Sequence, residues 1–423
     1  MKTSTTADIC KRWSDIDFEL AESNIKKLQK RIVKAFFNDD IDLMNHLQHK
    51  LIHSYYAKAL AVQHVMTCDG YNTAGIDNVT WNDLSDCLDA ISLLNHRGYK
   101  PLPVKRIYID KSDGRKRPLG IPTMKDRAMQ TLYKLALEPI AEITADEHSY
   151  AYRTGRGCRD AISHVVSLLY ERTDYQYVLK LDIKSCFDNI SHKWLLDNIP
   201  FDKKMLDAFL KCGYVEDGIY HDTLEGIPQG GCLSNVLCNM TLDGLESIVI
   251  DKCCNDVGFV RYADDCLIFA DNAYLFRQEV IPVITEFLAQ RGLSLSKEKT
   301  TCYSLDESVT YLGYTFCRKD ETVILCPSKD NVNRYYCNLR DILLCEQGTS
   351  DYNIYNKINP IIRGWFNYYI GVVSDYTMFA HENNTIFMCS DITGIHSIAE
   401  ILNKKIFNKI YNPKTKKNRD SPF

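Results

Sequence analysis

Apolar positions recur at three- and four-residue spacing through the first part of the chain. Ile25, Leu28, Ile32 and Ala35 make one stripe, and Leu43, Leu47, Leu51 and Tyr55 another, so the pattern predicts helix across residues 14–66. Gly70 and the Asn, Thr, Ala and Gly of residues 72–75 break it. Similar periodicity predicts helices over 83–95, 125–142 and 159–172, the last with Ile162, Val165, Val166 and Leu169 on its apolar face. Further helices are expected over 235–251, 273–291, 328–345 and 352–369. Residues 104–110 alternate as a strand does, and Lys111-Ser112-Asp113-Gly114 then reads as a hairpin turn.

The pattern changes character twice. The run Phe259-Val260-Arg261-Tyr262-Ala263-Asp264-Asp265-Cys266-Leu267-Ile268-Phe269 is strand-like on both sides of two adjacent carboxylates. A core strand alternates its side chains across two faces and has no place for two unpaired charges at its centre. A tight hairpin lifting the acids to a surface where cations neutralise them resolves the conflict; a solvated Asp-Asp turn is the competing explanation. A second acid-bearing strand, Tyr177-Val178-Leu179-Lys180-Leu181-Asp182, ends in the turn that holds Phe187 and Asp188. Between the two, Gly226-Ile227-Pro228-Gln229-Gly230-Gly231 has the composition of a loop with close backbone approach.

The chain has 423 residues, 45% of them hydrophobic, enough for more than one core. The N-terminus is polar and no charge-free run is long enough to span a bilayer, so a cytoplasmic protein is expected. The 17 cysteines include no C-x-x-C pair, which argues for buried free thiols rather than disulfides or a cysteine-bound zinc. A net charge of −4 counts against a uniformly basic nucleic-acid binder. Three local basic groups qualify that: residues 105–117, the trio Arg153, Arg156 and Arg159, and the lysine-rich stretch after Lys404. A solvated face is the competing reading for each, and for the lysine-rich stretch it weighs as much as RNA contact.

In order and spacing these segments resemble reverse transcriptases of the bacterial lineage related to group II intron enzymes. The resemblance runs along nearly the whole chain. It includes Asn72-Thr73-Ala74-Gly75-Ile76-Asp77, Arg117-Pro118-Leu119-Gly120-Ile121-Pro122, Ser149-Tyr150-Ala151-Tyr152-Arg153-Thr154-Gly155, the two acidic segments, Tyr311-Leu312-Gly313-Tyr314 and Ile362-Arg363-Gly364-Trp365-Phe366. It implies an α+β right-hand polymerase with fingers, an antiparallel palm sheet and a helical thumb. A helical N-terminal extension is expected over 1–81, fingers and palm over 82–325, and thumb with basic tail over 326–423.

The resemblance implies RNA-directed DNA synthesis from deoxynucleoside triphosphates with two Mg²⁺ ions, Mn²⁺ being an alternative. Asp182, Asp264 and Asp265 are the expected catalytic acids and metal ligands, joined by the Ile183 carbonyl. Lys111 and Arg117 are expected at the triphosphate, Phe187 as a gate beneath the sugar, and Gln229 in the nucleotide pocket. Lys299 is the candidate proton donor to pyrophosphate, against an ordinary surface Lys-Glu-Lys run. Asp188, His148, His164 and His192 are read as structural, and Trp365 as core. Size and the short segment after the thumb motif look like stand-alone defence-associated reverse transcriptases of the type 2 class. That class implies a structured noncoding RNA as partner and template and a cDNA product. A group II maturase or RNA-binding protein assisting splicing, and an RNA-copying RNA polymerase, are the alternatives.

Overall fold

The computed structural model describes residues 13–110, 114, 116–254, 256–346, 348–393 and 402. The lysine-rich stretch after Lys404 and Lys111 of the fingers turn lie outside the described residues.

The first periodic stretch is three helices rather than one: Phe18–Phe37, Ile41–Ile52 and Tyr55–Thr67. Asp17 and Asp40 cap the first two by accepting from the Leu20 and Leu43 amides. The reversal between them passes through Asp39 in the left-handed region, at φ 53°. Ile25, Ile32, Ala35, Leu47 and Leu51 are buried as the stripes predict, but Leu43 is exposed because Met44 takes the inward position. The third helix is buried nearly all round through Ala57, Ala59, Ala61, Val62 and Val65. Its small side chains let it lie close to the long helix Met124–Thr144.

In the fingers, β1 (Val104–Asp110) and β2 (Lys116–Ile121) pair antiparallel from Lys105↔Ile121 to Asp110↔Lys116. The palm begins with β3 (Tyr177–Asp182). Next comes a short hairpin, β4 (Tyr214–Glu216) and β5 (Ile219–His221), in which β4 runs parallel to β1 and so extends the fingers sheet. The strands β6 (Gly258–Tyr262), β7 (Asp265–Ala270) and β8 (Thr301–Ser304) complete an antiparallel palm sheet of order β6-β7-β3-β8.

Both faces of that sheet are covered, and its residues sort between two cores with period two. Leu179, Leu181, Phe259, Cys266 and Ile268 join the core built with the N-terminal and palm helices. Val178, Val260, Leu267 and Phe269 join the other, with the helix Cys158–Glu171 and the thumb. Two expected palm helices are interrupted. The stretch expected over 235–251 divides into Cys232–Leu242 and Leu245–Lys252 at Gly244, whose φ is 91°. The stretch over 273–291 contains a widened turn at Phe276–Val280 and ends at Ala289.

A third sheet, β9 (Val309–Tyr311), β10 (Tyr314–Lys319) and β11 (Thr322–Pro327), leads to the thumb helices Lys329–Cys345, Asp351–Tyr369 and Asp375–Thr393. The Tyr368 and Tyr369 hydroxyls donate to the Leu312 and Gly313 carbonyls at 2.7 and 2.8 Å, fixing the thumb to the β9–β10 turn. Phe366 and Tyr369 fill this core, whereas Trp365 is only half-buried, stacked on Tyr335. Trp365 thus packs against the core as expected but at its edge, beside the inward stripe Ile358, Ile362, Phe366 and Tyr369. Among the described residues no helix is long and apolar enough to cross a membrane.

Candidate active site

Tyr262 pairs with Asp265 as the last rung of the β6–β7 hairpin, so Ala263 and Asp264 alone make its loop. Ala263 accepts the left-handed backbone, at φ 56°, that the tight reversal demands. On the other edge of β7, Asp265 is the direct cross-strand partner of Asp182, at the end of β3. Cross-strand partners project from the same face of a sheet. Two acids 83 positions apart in the chain thus stand side by side, with Asp264 beside them. Ile183 follows Asp182 in an isolated bridge to Leu295.

Burial, reinforced by the charge of Asp182, pushes the Asp264 carboxyl above its ordinary range, outweighing Arg117 and Lys299. Burial also raises Asp265, with Lys180 opposing and Asp264 and Asp182 adding to it. Lys299 Nζ lies 3.2 and 3.1 Å from the two carboxylate oxygens of Asp182, so the Lys-Glu-Lys run is not simply a solvated face. The Tyr311 hydroxyl donates to the Asp265 carbonyl at 3.1 Å and ties the hairpin to β9.

A second line of contacts joins fingers to palm. Arg117 Nε donates to Gln229 Oε1 at 2.9 Å, and Gln229 Nε2 lies 3.4 Å from Asp188 Oδ1. The Gln229 loop is held at its backbone as well: Gly120 N donates to the Gln229 carbonyl at 2.7 Å, and Ile227 N to that of Phe187 at 2.7 Å. This closeness explains its glycines. Gly226 and Gly230 have φ of 81° and 112°. A Cβ on them would meet the Asp188 and Gly120 carbonyl oxygens at 2.5 and 2.6 Å. Asp188, read from sequence as structural, is an exposed member of this contact line. Phe187 is 6% exposed and packs in the palm core. A cavity of about 340 Å³ opens beside the junction, lined by Arg106, Pro118, Tyr214, Leu224 and Gln229; the three acids lie outside it.

Sequence reasoning passed over Arg261, three residues before the acidic pair. It is fully buried on β6, its Nη2 3.2 Å from Asp146 and 2.5 Å from Asp243. Burial works against its charge, but those two carboxylates hold Arg261 above its ordinary range. Burial pushes Asp243 up to about 6 in spite of the arginine. The same network continues through Glu246 to His148, which stacks on His164 at 4.0 Å. The signal was present in the sequence as a charge at the centre of an apolar strand.

The trio Arg153, Arg156 and Arg159 is a brace, not an open basic face. Arg153 pairs with Glu142 at 2.6 Å, Arg156 binds the Glu147 carbonyl, and Arg159 binds the Asn367 and Ile370 carbonyls at the base of the thumb.

An antiparallel palm sheet with clustered acids, roofed by a fingers hairpin and followed by thumb helices, defines a right-hand nucleic-acid polymerase. Family models extend this. Residues 109–316 match the reverse transcriptase (RNA-dependent DNA polymerase) family, residues 13–94 the N-terminal domain of reverse transcriptase, and residues 332–386 the group II intron maturase-specific domain. The chain is a group II intron-like reverse transcriptase.

It is 34% identical over 239 residues to the group II intron-encoded protein LtrA of Lactococcus lactis subsp. cremoris, covering 54% of this chain but 37% of that protein. The chain thus spans under half of that relative's length. Protein YkfC of Escherichia coli K12 is 27% identical over 62% of this chain and 80% of its own. Maturase-like protein 1 of Euglena longa is 22% identical over 95% of this chain and 91% of its own.

Proposed function

We propose that the protein copies RNA into DNA by two-metal nucleotidyl transfer, with Asp182, Asp264 and Asp265 as the metal-holding acids. The observation that carries this is the register pairing Asp182 with Asp265 and setting Asp264 beside them. Their donor set is all oxygen, which suits Mg²⁺, or Mn²⁺ in its place, and the Ile183 carbonyl is the further candidate ligand. The carboxyls of Asp264 and Asp265 are raised chiefly by burial and further by their acidic neighbours, and divalent cations would offset both effects. When bound, such ions supply activation of the primer hydroxyl and neutralisation of the departing pyrophosphate.

The remaining roles belong to the chain's own groups. Arg117, anchored by Gln229, offers a guanidinium fork to the triphosphate of an incoming deoxynucleotide. Lys111 would join it from the fingers turn. Phe187, seated under the Gln229 loop, screens the sugar against a 2′-hydroxyl. Lys299, held at Asp182, is placed to give a proton to the leaving pyrophosphate.

The template is proposed to be a structured noncoding RNA, in keeping with the resemblance to type 2 defence-associated enzymes, with cDNA made in antiphage defence in the cytoplasm. The maturase-specific match favours a second reading, in which intron RNA is the partner and splicing the outcome. Primer extension on RNA by the wild type and by Asp264→Ala/Asp265→Ala tests the polymerase: activity only in the wild type supports it, and equal or absent activity in both supports a binder. Sequencing the copurifying RNA separates the two roles, since one small transcript favours defence and intron RNA favours splicing.

A further inference from the structure

We propose that His49, His53 and His96 form a binding site for a zinc-like divalent transition-metal ion, separate from the polymerase centre. Among the described residues this is the one group of three or more histidine, cysteine or acidic side chains with its ligand atoms gathered, all lying within 4.8 Å of one another. His49 and His53 are one helical turn apart, at the end of Ile41–Ile52. That spacing puts both rings on one helix face, and their centroids are 4.0 Å apart. His96 comes from the loop after the helix Leu84–Leu93, and its ring meets His53 edge-on at 4.3 Å.

The hydrogen bonds set up the nitrogens for a metal. His53 Nδ1 lies 2.7 Å from the His49 carbonyl, so it donates there and leaves Nε2 with a free lone pair. That Nε2 lies 2.8 Å from His96 Nδ1. One proton now sits between two nitrogens that can both serve as ligands. A zinc ion bound at about 2.0–2.1 Å from each would take that place, the proton shifting to His96 Nε2 as the ring changes tautomer, and would spread the pair to roughly 3.3 Å. A change of about half an ångström is within side-chain rotation at this partly exposed site.

The electrostatics favour a cation from two directions. The carbonyl end of the helix, where His53 is the cap residue, carries partial negative charge. Asp202 is close enough to favour positive charge on both His49 and His96. Three imidazoles select zinc, nickel, cobalt or copper over magnesium. A bound ion would clip the N-terminal helices to the linker that feeds β1.

The test is calorimetric titration of the full-length protein with Zn²⁺ in the presence of excess Mg²⁺, which occupies the carboxylate centre. One site is expected, with affinity lowered at least ~10-fold in His53→Gln and in His96→Gln. His46→Gln, an exposed neighbour on the same helix, should bind as the wild type does. Zn²⁺ should also raise the thermal unfolding midpoint of the wild type and not of His96→Gln. Equal binding by wild type, His53→Gln and His96→Gln would overturn the proposal, as would no binding by the wild type.

Discussion

Replacing Arg261 with methionine removes one partner from a charge cluster that water does not reach. The Arg261, Asp146 and Asp243 side chains are 1%, 2% and 7% exposed. As a complete set they offset much of their own desolvation, but loss of one partner leaves carboxylates buried without compensation, at a cost of about 3–5 kcal/mol. That is a large fraction of the roughly 5–15 kcal/mol that holds a domain folded. Adding Asp146→Asn and Asp243→Asn to the Arg261→Met protein should recover most of the loss.

The pH dependence has a defined sign. Asp243 is already pushed up to about 6 by burial, and without the arginine it rises further above its unfolded value. A carboxyl raised in the folded state destabilises fully above its folded pKa; the penalty shrinks as pH falls through that value and vanishes below the unfolded one. The deficit of Arg261→Met should therefore be larger at pH 8 than at pH 5.5. Denaturant unfolding followed by tryptophan fluorescence at both values measures it. A loss below about 1 kcal/mol, or a deficit that grows as the solution is acidified, would refute the reasoning.

Three further outcomes follow from the geometry. Phe187→Ala should increase ribonucleotide incorporation relative to deoxynucleotide; unchanged sugar selection in single-nucleotide extension assays removes the residue from that role. Gly230→Ala places a Cβ against the Gly120 carbonyl at a φ of 112°. It should weaken nucleotide use by about tenfold or more, the equivalent of ~1.4 kcal/mol, read as kcat/KM for the incoming nucleotide. His164, pushed down to about 4 by burial and by stacked His148, is neutral in the fold. Its contribution is present above about pH 6.5 and lost as pH falls towards 4; His164→Gln should flatten the acid limb of a stability–pH curve.

The parts of this molecule legible in its sequence are those written by local periodicity. The β6–β7 hairpin could be read because two alternating arms leave room for charges only at a turn, and β1 matches its expected span residue for residue. Two thumb helices, Lys329–Cys345 and Asp351–Tyr369, fall within one residue of their expected spans, whereas Asp375–Thr393, which has no clear apolar stripe, was not expected. What escaped depends on partners distant in the chain. Arg261 is intelligible only once Asp146 and Asp243 are beside it. The break at Gly244 is invisible to a stripe that continues on both sides of it. His49 and His53 show a helical spacing, yet nothing local announces His96 as their neighbour. The arginine trio was read as an open face because its carbonyl partners, some more than 200 positions away, carry no sequence signature.

The central claim is that acids remote in sequence act together to hold the ions that drive DNA synthesis. Asp182 tests it best, because it alone comes from the other strand. Single-turnover primer extension on an RNA template should be slowed about 10³-fold by Asp182→Asn, roughly 4 kcal/mol of barrier, with the circular dichroism spectrum unchanged. A rate within tenfold of wild type from a folded Asp182→Asn protein would contradict the account.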